Sequence, residues 1–370
     1  SYGAGFTVWL YRALTFLVVS CPCALVISIP LSFFGGIGGA ARHGILIKGG
    51  NYMDALARLG TVAFDKTGTL TKGVFEVTAI HPSDISADEL LHLAAHVERY
   101  STHPIAVSLR TAFAHEQDGC EVSDVQEVAG KGISAKVNGS TVCVGNGSMM
   151  DAVGAQWHQC HRVGTVVHVA IEGVYAGHIV VSDAIKPFAA EAVSDVKRMG
   201  VGCVAMLTGD RKGVAQSVAA ELGIDECRAG LLPTEKIDAF EQLASATPAG
   251  RTTAFVGDGI NDAPVLARAD VGIAMGALGS DAAIEAADVV LMDDNPTKVA
   301  TAIAIARRTL GIAHENVVFA IGVKVLVLML AALGIATMWM AVFADVGVTV
   351  IAVLNAMRTL GYNIKGVSGN

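Results

Sequence analysis

Three aspartate-bearing turns follow apolar, strand-like runs in this 370-residue sequence. Thr61–Phe64 leads into Asp65-Lys66-Thr67-Gly68-Thr69-Leu70-Thr71, Gly202–Leu207 into Thr208-Gly209-Asp210, and Thr253–Val256 into Gly257-Asp258-Gly259-Ile260-Asn261-Asp262. A carboxylate at a strand tip, followed by a hydroxyl-rich glycine turn, suits attack on phosphorus. The turn amides can cradle phosphate oxygens, and the aspartate can form an acyl phosphate. Beyond the nucleophile, phosphoryl transfer needs in-line positioning and neutralisation of the equatorial oxygens. The Thr208 hydroxyl and the Lys236 ammonium, from Pro233-Thr234-Glu235-Lys236, can hold the transferred group. Asp65 and Asp258, with Thr67 beside them, can share a Mg²⁺, which favours a few carboxylates and keeps water. Asn261 and Asp262 can fix the loop and reach the metal's outer shell. Lys66, Gly209 and Asp210 complete the expected catalytic set.

Two further groups invite chemistry. Glu98, then Ser101-Thr102-His103-Pro104, Gly130-Lys131-Gly132 and Gly145-Asn146 lie in one stretch. An imidazole can stack on or hydrogen-bond to a purine, and glycine lets backbone approach a ribose or phosphate closely. Separately, Cys21-Pro22-Cys23 sits inside an apolar run. Proline removes a backbone hydrogen bond and kinks a helix, which can aim two sulfurs at one point. Soft thiolates select zinc-like or cuprous ions over Mg²⁺ or Ca²⁺. Lys324 and Asp345, 21 positions apart, are ionisable residues in apolar segments. At a membrane centre such residues cost about 2.5–3.5 kcal/mol and are expected to pair. Asp345 can complete an S₂O shell with Cys21 and Cys23, and Lys324 can serve as the counter-ion when the metal leaves.

The elements that must position these residues are of two kinds. Hydrophobic residues make up 52% and charged residues 16%, with mean hydropathy +0.53. Soluble domains carry about 25% charge, so a mixed membrane and soluble protein is expected. Net charge −8 argues against nucleic acid as a partner. Seven scattered cysteines suggest reduced thiols facing a cytosol. A span is expected within Ala13–Ile37, and two more within Val317–Ala356, joined near Gly334–Thr337. Arg42 and Lys48, Arg307 and Arg308, and Arg358 and Lys365 then fall on one side, which places the intervening chain in the cytoplasm. That chain alternates strands with helical patterns at Ala189–Met199 and Arg211–Leu222, the signature of a parallel doubly wound sheet. Strands over Lys136–Val144, Val166–Ile171 and Val174–Ile179, with a helix-rich Ala87–Phe113, mark an inserted domain. The expected division is 1–43 membrane helix, 44–72 and 179–303 phosphorylation domain, 73–178 insert, and 304–370 two membrane helices and tail.

The seven-residue DKTGTLT string, with the Thr-Gly-Asp and Gly-Asp-Gly-Ile-Asn-Asp turns, closely resembles the P-type ATPases. The resemblance covers nearly the whole chain. It implies a haloacid-dehalogenase-like α/β phosphorylation domain, an inserted α+β nucleotide-binding domain and three transmembrane helices, with ATP phosphorylating Asp65. In the heavy-metal branch, a Glu, a His-Pro, a GxG and a Gly-Asn occur in the order found here. This implies that Glu98 and His103 read adenine, while Gly130, Gly132, Gly145 and Asn146 admit ribose and phosphates. Thr102 departs from the branch, which usually has Glu before the His. The Cys-Pro-Cys helix with Lys324 and Asp345 resembles the zinc/cadmium/lead exporters. ATP and Mg²⁺ are the implied cofactors, a multi-pass protein of the plasma (inner) membrane the implied setting, and lipid and the exported metal the partners. Thr67 stands where many phosphatases of this fold have a second acid, which favours a long-lived acyl phosphate. An actuator domain with Thr-Gly-Glu and a Cys-x-x-Cys metal-binding module are expected in a preceding portion of a longer protein. A copper pump, a phosphohydrolase of the same fold and a non-enzymatic membrane regulator are the alternatives.

Overall fold

The computed structural model describes residues 5–113, 119–160, 162, 164–258, 262–276 and 281–361. Its first sheet has seven strands: β1 (Ile45–Ile47), β2 (Leu59–Asp65), β9 (Cys203–Leu207), β10 (Glu226–Arg228), β11 (Thr252–Gly257), β12 (Val271–Met275) and β13 (Val289–Leu291). Their order is β1-β13-β12-β11-β2-β9-β10. All neighbours run parallel except β1, which pairs antiparallel with β13 at the edge. Every residue of β2 is buried, because both faces are covered. Val62 and Phe64 pack with Val204, Met206, Ala254 and Val256 on one face. Ala63 packs with Ala205, Leu207 and Phe255 on the other. Helices α3 (Gly50–Ala57), α7 (Ala189–Arg198), α8 (Lys212–Leu222), α9 (Pro233–Ala246), α10 (Ala263–Leu266) and α11 (Asp281–Ala286) accompany this sheet. With β9 and β11 on either side of β2, the carboxyl ends of three strands meet at a topological switch point.

The insert is a six-stranded antiparallel sheet: β3 (Thr71–Pro82), β4 (Val122–Val128), β5 (Gly132–Val137), β6 (Ser140–Gly145), β7 (Thr165–Ile171) and β8 (Val174–Ile185), ordered β3-β8-β7-β6-β5-β4. Helices α4 (Ala87–Val97) and α5 (Pro104–Ala112) pack on one face, and α6 (Gly147–Val153) on the other. The single strand expected over Lys136–Val144 is a hairpin instead. Asn138 (φ 51°) and Gly139 (φ 86°) turn the chain between β5 and β6, the conformation an Asn-Gly pair favours. Long β3 and β8 pair from Thr71↔Ile185 to Pro82↔Gly177, so β8 runs past residue 178 and the two strands connect the domains.

Among the described residues, three helices are long and apolar enough to cross a membrane: Cys23–Arg42, Lys298–Ala332 and Met338–Leu360. The span expected within Ala13–Ile37 is not one helix. Helix α1 (Phe6–Ser20) stops before Cys21-Pro22, and α2 (Cys23–Arg42) starts after it. Pro22 has no N–H to give, and the residue before a proline avoids helical backbone angles. The last two helices, α12 (Lys298–Ala332) and α13 (Met338–Ala356), are joined through Gly334, at φ 77°. Helix α12 runs unbroken for 35 residues through position 303. Val299, Ala300, Ala302, Ile303, Ile305 and Ala306 near its start belong to the core of the first sheet. Arg307 Nε donates to the Ala57 carbonyl at 3.0 Å. Small residues let α2 lie close against its neighbours: a Cβ on Gly36 would come within 2.3 Å of Thr309 Oγ1, and one on Gly39 within 2.8 Å of the Thr359 carbonyl.

Candidate functional site

Asp65 ends β2, and its Oδ1 accepts from Lys236 Nζ at 2.7 Å. Lys236 comes from the first turn of α9, where the Glu235 carboxylate accepts the Leu232 N–H at 2.8 Å and fixes the entry. The same ammonium donates to Asp262 Oδ1 at 2.5 Å and lies 5.4 Å from the Phe255 ring centre. Thr208, buried at the end of β9, accepts the Asp210 N–H at 3.1 Å. Lys66 turns away from Asp65: its Nζ lies 2.6 Å from Asp210 Oδ2 and 3.2 Å from Asp183 Oδ2. Thr71 also donates to Asp183, at 2.5 Å. Lys66 and Asp210 therefore tie the turn to the β9 loop and to β8. Gly68 has φ 74°, and a Cβ there would sit 1.6 Å from Asp258 Oδ2, so only glycine lets the turn close on Asp258. A Cβ on Gly209 would already press the Leu231 carbonyl at 3.2 Å. Thr67 is exposed. Asn261 lies outside the described residues.

Three participants were not anticipated from the sequence. Buried Lys186 donates to the Gly68 carbonyl and to Asp294 Oδ1, the latter at 2.7 Å. Asp183, two residues before the end of β8, holds Lys66 and Thr71. All three are more than 100 positions from the turn they support. Their one sequence signal is that Asp183 and Lys186 interrupt an apolar strand where it returns from the insert.

Carboxylate oxygens of Asp65, Asp258 and Asp262 lie within 4.8 Å of one another. Burial, then the Asp262 charge, push Asp65 up to about 7 against the pull of Lys236. Burial and Asp262 likewise raise Asp258 to about 6. This all-oxygen set carries more negative charge than its ammonium offsets, which fits a hard divalent ion such as Mg²⁺. Ionised carboxylates bind the ion and protons displace it. Because both pKa values are raised, Mg²⁺ affinity is expected to fall as pH drops through 7 and 6, by about tenfold per unit for each proton taken up. Calorimetric Mg²⁺ titrations across that window check this, and a flat profile contradicts it.

In the insert, Glu98, Ser101, His103, Glu127, Gly130, Lys131, Gly132, Gly145, Asn146 and Val167 line an open cleft of about 310 Å³, at the lower end of the range for small-molecule sites. Glu98 is buried at the end of α4, and burial raises its pKa. Arg110 Nη1 braces this corner through the Glu98 and Ser101 carbonyls at 2.6 and 2.8 Å. Exposed His103 caps α5, its Nδ1 accepting from Ile105 N at 3.3 Å, which leaves Nε2 outward. Gly132 and Gly145 are strand partners. A Cβ on Gly132 would lie 2.5 Å from Gly145 Cα, and one on Gly145 2.2 Å from the Lys131 carbonyl. Asn146 Nδ2 donates to the Gly130 carbonyl at 2.8 Å, while its Oδ1 caps α6. These glycines are therefore needed for the strands to meet, and Asn146 pins the loop. Lys131 and Glu127 add charges the sequence did not single out.

In the membrane segment, Lys324 Nζ lies 3.8 Å from Asp345 Oδ1 and donates to the Cys21 carbonyl. Leu25 and Val26 N–H both take the Pro22 carbonyl at 3.1 Å, so the break orphans the Cys21 carbonyl that Lys324 satisfies. Pro22, Leu25, Lys324, Val327, Ala344 and Asp345 help line a cavity between α2, α12 and α13. The sulfurs of Cys21 and Cys23 come together at the break, as expected of two thiols aimed at one point by a proline kink. The break brings their Cα atoms to 5.6 Å, within bridging reach. Metal capture requires both cysteines as thiolates.

A family model described as haloacid dehalogenase-like hydrolase matches residues 59–270. The chain is 56% identical over 358 residues to a protein of Synechocystis sp. named zinc-transporting ATPase, covering 96% of this chain and 49% of that protein. It is 53% identical to a cadmium, zinc and cobalt-transporting ATPase of Bacillus subtilis, covering 97% and 51%. The crystal structure of a zinc-transporting PIB-type ATPase in the E2.Pi state superposes with a TM-score of 0.86 at 40% identity, over 97% of this chain and 59% of that one. The chain spans about half the length of the curated relatives it matches.

Proposed function

The chain belongs to the haloacid dehalogenase-like hydrolases, and from that premise we propose that it is the catalytic and C-terminal membrane portion of a P-type ATPase exporting a soft divalent metal, Zn²⁺, Cd²⁺ or Pb²⁺. The observation that carries the reading is the joint presence of two charge-bearing centres. Asp65 is held by Lys236 at one end, and Lys324 faces Asp345 beside a Cys-Pro-Cys helix break at the other. A soluble phosphohydrolase has no use for the second. The names of the two relatives and of the solved structure point the same way.

In this reading an Asp65 carboxylate oxygen attacks the γ-phosphorus of ATP, the bond from that phosphorus to the β–γ bridging oxygen breaks and ADP leaves, while Thr208 and Lys236 bind the transferred phosphoryl oxygens. Asp65, Asp258 and the Thr67 turn would hold Mg²⁺, with Asp262 and Asn261 outside it, and the bound ion would supply charge neutralisation. Lys66, Asp210, Asp183 and Lys186 keep the turn in place. Thr67 offers no second acid to activate water, so the acyl phosphate persists. The insert holds ATP, with Glu98 and His103 at the base and the Gly130–Gly132 loop at the phosphates. In this reading the protein resides in the plasma (inner) membrane with both catalytic domains in the cytoplasm, and the long apolar helices support the membrane setting. A preceding portion of the full protein carries the actuator domain. Hydrolysis of ATP by the full-length protein, stimulated by Zn²⁺, Cd²⁺ or Pb²⁺ and not by Cu⁺, is the expected result. Stimulation by Cu⁺ alone selects the copper pump, and metal-independent hydrolysis of small phosphate esters selects the phosphohydrolase.

His103 and Glu98 serve affinity rather than chemistry. His103→Ala in the full chain is expected to weaken ATP binding about tenfold, the worth of one or two hydrogen bonds, without loss of fold. Calorimetry with and without the change checks this, and equal affinities contradict the role.

A further inference from the structure

We infer that His81, Cys160 and His178 form a binding site for a zinc-class divalent cation in the inserted domain, apart from the membrane site. His81 on β3 and His178 on β8 are directly paired across strands, so their side chains share a face. Their rings lie 4.9 Å apart, tilted by 35°. Cys160, beyond α6, reaches the same face, and one ligand atom from each of the three residues lies within 4.8 Å of the others. Tetrahedral zinc with nitrogen and sulfur donors needs ligand separations of roughly 3.4–3.6 Å, a contraction that side-chain rotation supplies.

Two buried nitrogens give the second reason. Nε2 of His81 and Nε2 of His178 are buried without a hydrogen-bond partner. Buried polar atoms are nearly always satisfied, and exceptions call for a cause. A bound cation is one, since a neutral imidazole offers its lone pair to a metal as readily as to a proton donor.

The ring orientation agrees. Tyr175 Oη lies 3.0 Å from Nδ1 of His178 and 3.0 Å from Nδ1 of His168. One hydroxyl carries one proton, so it donates to one histidine and accepts from the other. Run from His178 through Tyr175 to His168, this chain puts the His178 proton on Nδ1 and bares the Nε2 lone pair. Metal-bound histidines are oriented by such an outer hydrogen bond. Two imidazole nitrogens and a thiolate suit zinc-class ions and not Mg²⁺ or Ca²⁺. The fourth position is left to water or to exposed His158, whose ring centre is 5.3 Å from that of His178. The face is the one α6 covers, opposite α4 and α5. A second cluster, His92, His96 and Cys120, is weaker, because His92 Nε2 already hydrogen-bonds Cys120 Sγ at 3.1 Å.

Co²⁺ added to the reduced full chain carrying Cys21→Ser and Cys23→Ser tests the site. One tight Co²⁺ per chain is expected, with a thiolate-to-cobalt charge-transfer absorption that Zn²⁺ chases away. Cys160→Ser should abolish that absorption, and His178→Ala should weaken Co²⁺ binding at least 100-fold. Tyr175→Phe should keep the absorption and weaken binding by about 10–100-fold, as loss of an orienting partner does. ATP binding by each variant verifies that the insert is folded. Absence of the absorption in the parent, its survival in Cys160→Ser, or its loss in Cys120→Ser instead would overturn the assignment.

Discussion

Asp65→Asn leaves ATP bound and removes the hydroxylamine-sensitive label that γ-labelled ATP deposits on the chain. The expected fall is about 10³-fold or more, the scale on which a lost nucleophile is felt. An amide oxygen is a poor nucleophile and forms no acyl phosphate. The change should not unfold the domain. Lys236 keeps Asp262 at 2.5 Å as an anionic partner, and the apolar core around β2 is untouched. Burial and Asp262 already make the Asp65 charge unfavourable, so a neutral isostere relieves more strain than it causes, and the melting temperature is expected to hold or rise. Label remaining in Asp65→Asn at the parent level would sink the assignment of the nucleophile. Loss of both label and ATP binding would point instead to a folding defect.

The second large effect is expected in the membrane. Asp345→Ala should abolish metal stimulation of the full-length pump and take the membrane-site stoichiometry from one Zn²⁺ to none, measured with reductant and in a Cys160→Ser background. Removing one partner of a desolvated ion pair generally costs about 3–5 kcal/mol. Here the cost should be smaller, because Lys324 retains the Cys21 carbonyl. The variant should therefore insert and fold while failing to bind metal. Lys324→Ala acts in the opposite sense: with its counter-ion gone, Asp345 should hold the metal after phosphorylation and slow its release. The double variant should not regain divalent selectivity, because the carboxylate of the S₂O shell is gone. Full stimulation of Asp345→Ala by Zn²⁺, with one ion bound, would refute the zinc-type site. Oxidising Cys21 and Cys23 should likewise block metal loading, since only thiolates serve as the sulfur ligands.

What the sequence shows and what it hides divide along physical lines. The doubly wound sheet was readable because β2, β9 and β11 are continuous apolar runs that end in Asp- or Gly-rich turns. Strand β4 was not, because Val122–Val128 includes Ser, Asp, Gln and Glu and is mostly exposed. The β5–β6 hairpin carries its own signal in Asn138-Gly139, set between Val137 and the strand-forming Thr141–Val144. At the phosphorylation centre the strand-tip residues could be chosen by chemistry alone. Lys186, Asp183 and Asp294 could not, since only the folded chain brings them to Gly68, Lys66 and Thr71. The orphaned Cys21 carbonyl is likewise invisible until the proline break is seen with Lys324 beside it.

Helix α12 has a mechanical consequence. Its start is clamped in the core of the first sheet up to Ala306, and its far half carries Lys324 on the same unbroken rod. The 18 residues between them span about 27 Å at 1.5 Å per residue. A tilt of the phosphorylation domain by only about 5° would therefore swing the Lys324 ammonium through about 2 Å, enough to part it from Asp345 or press it closer. No proline interrupts the rod, and the helix continues without a break through Gly311 and Gly322. The connection has the form of a crank: were phosphorylation of Asp65 to tilt the domain, α12 would carry that tilt to the membrane as an angle, without any relay of side chains.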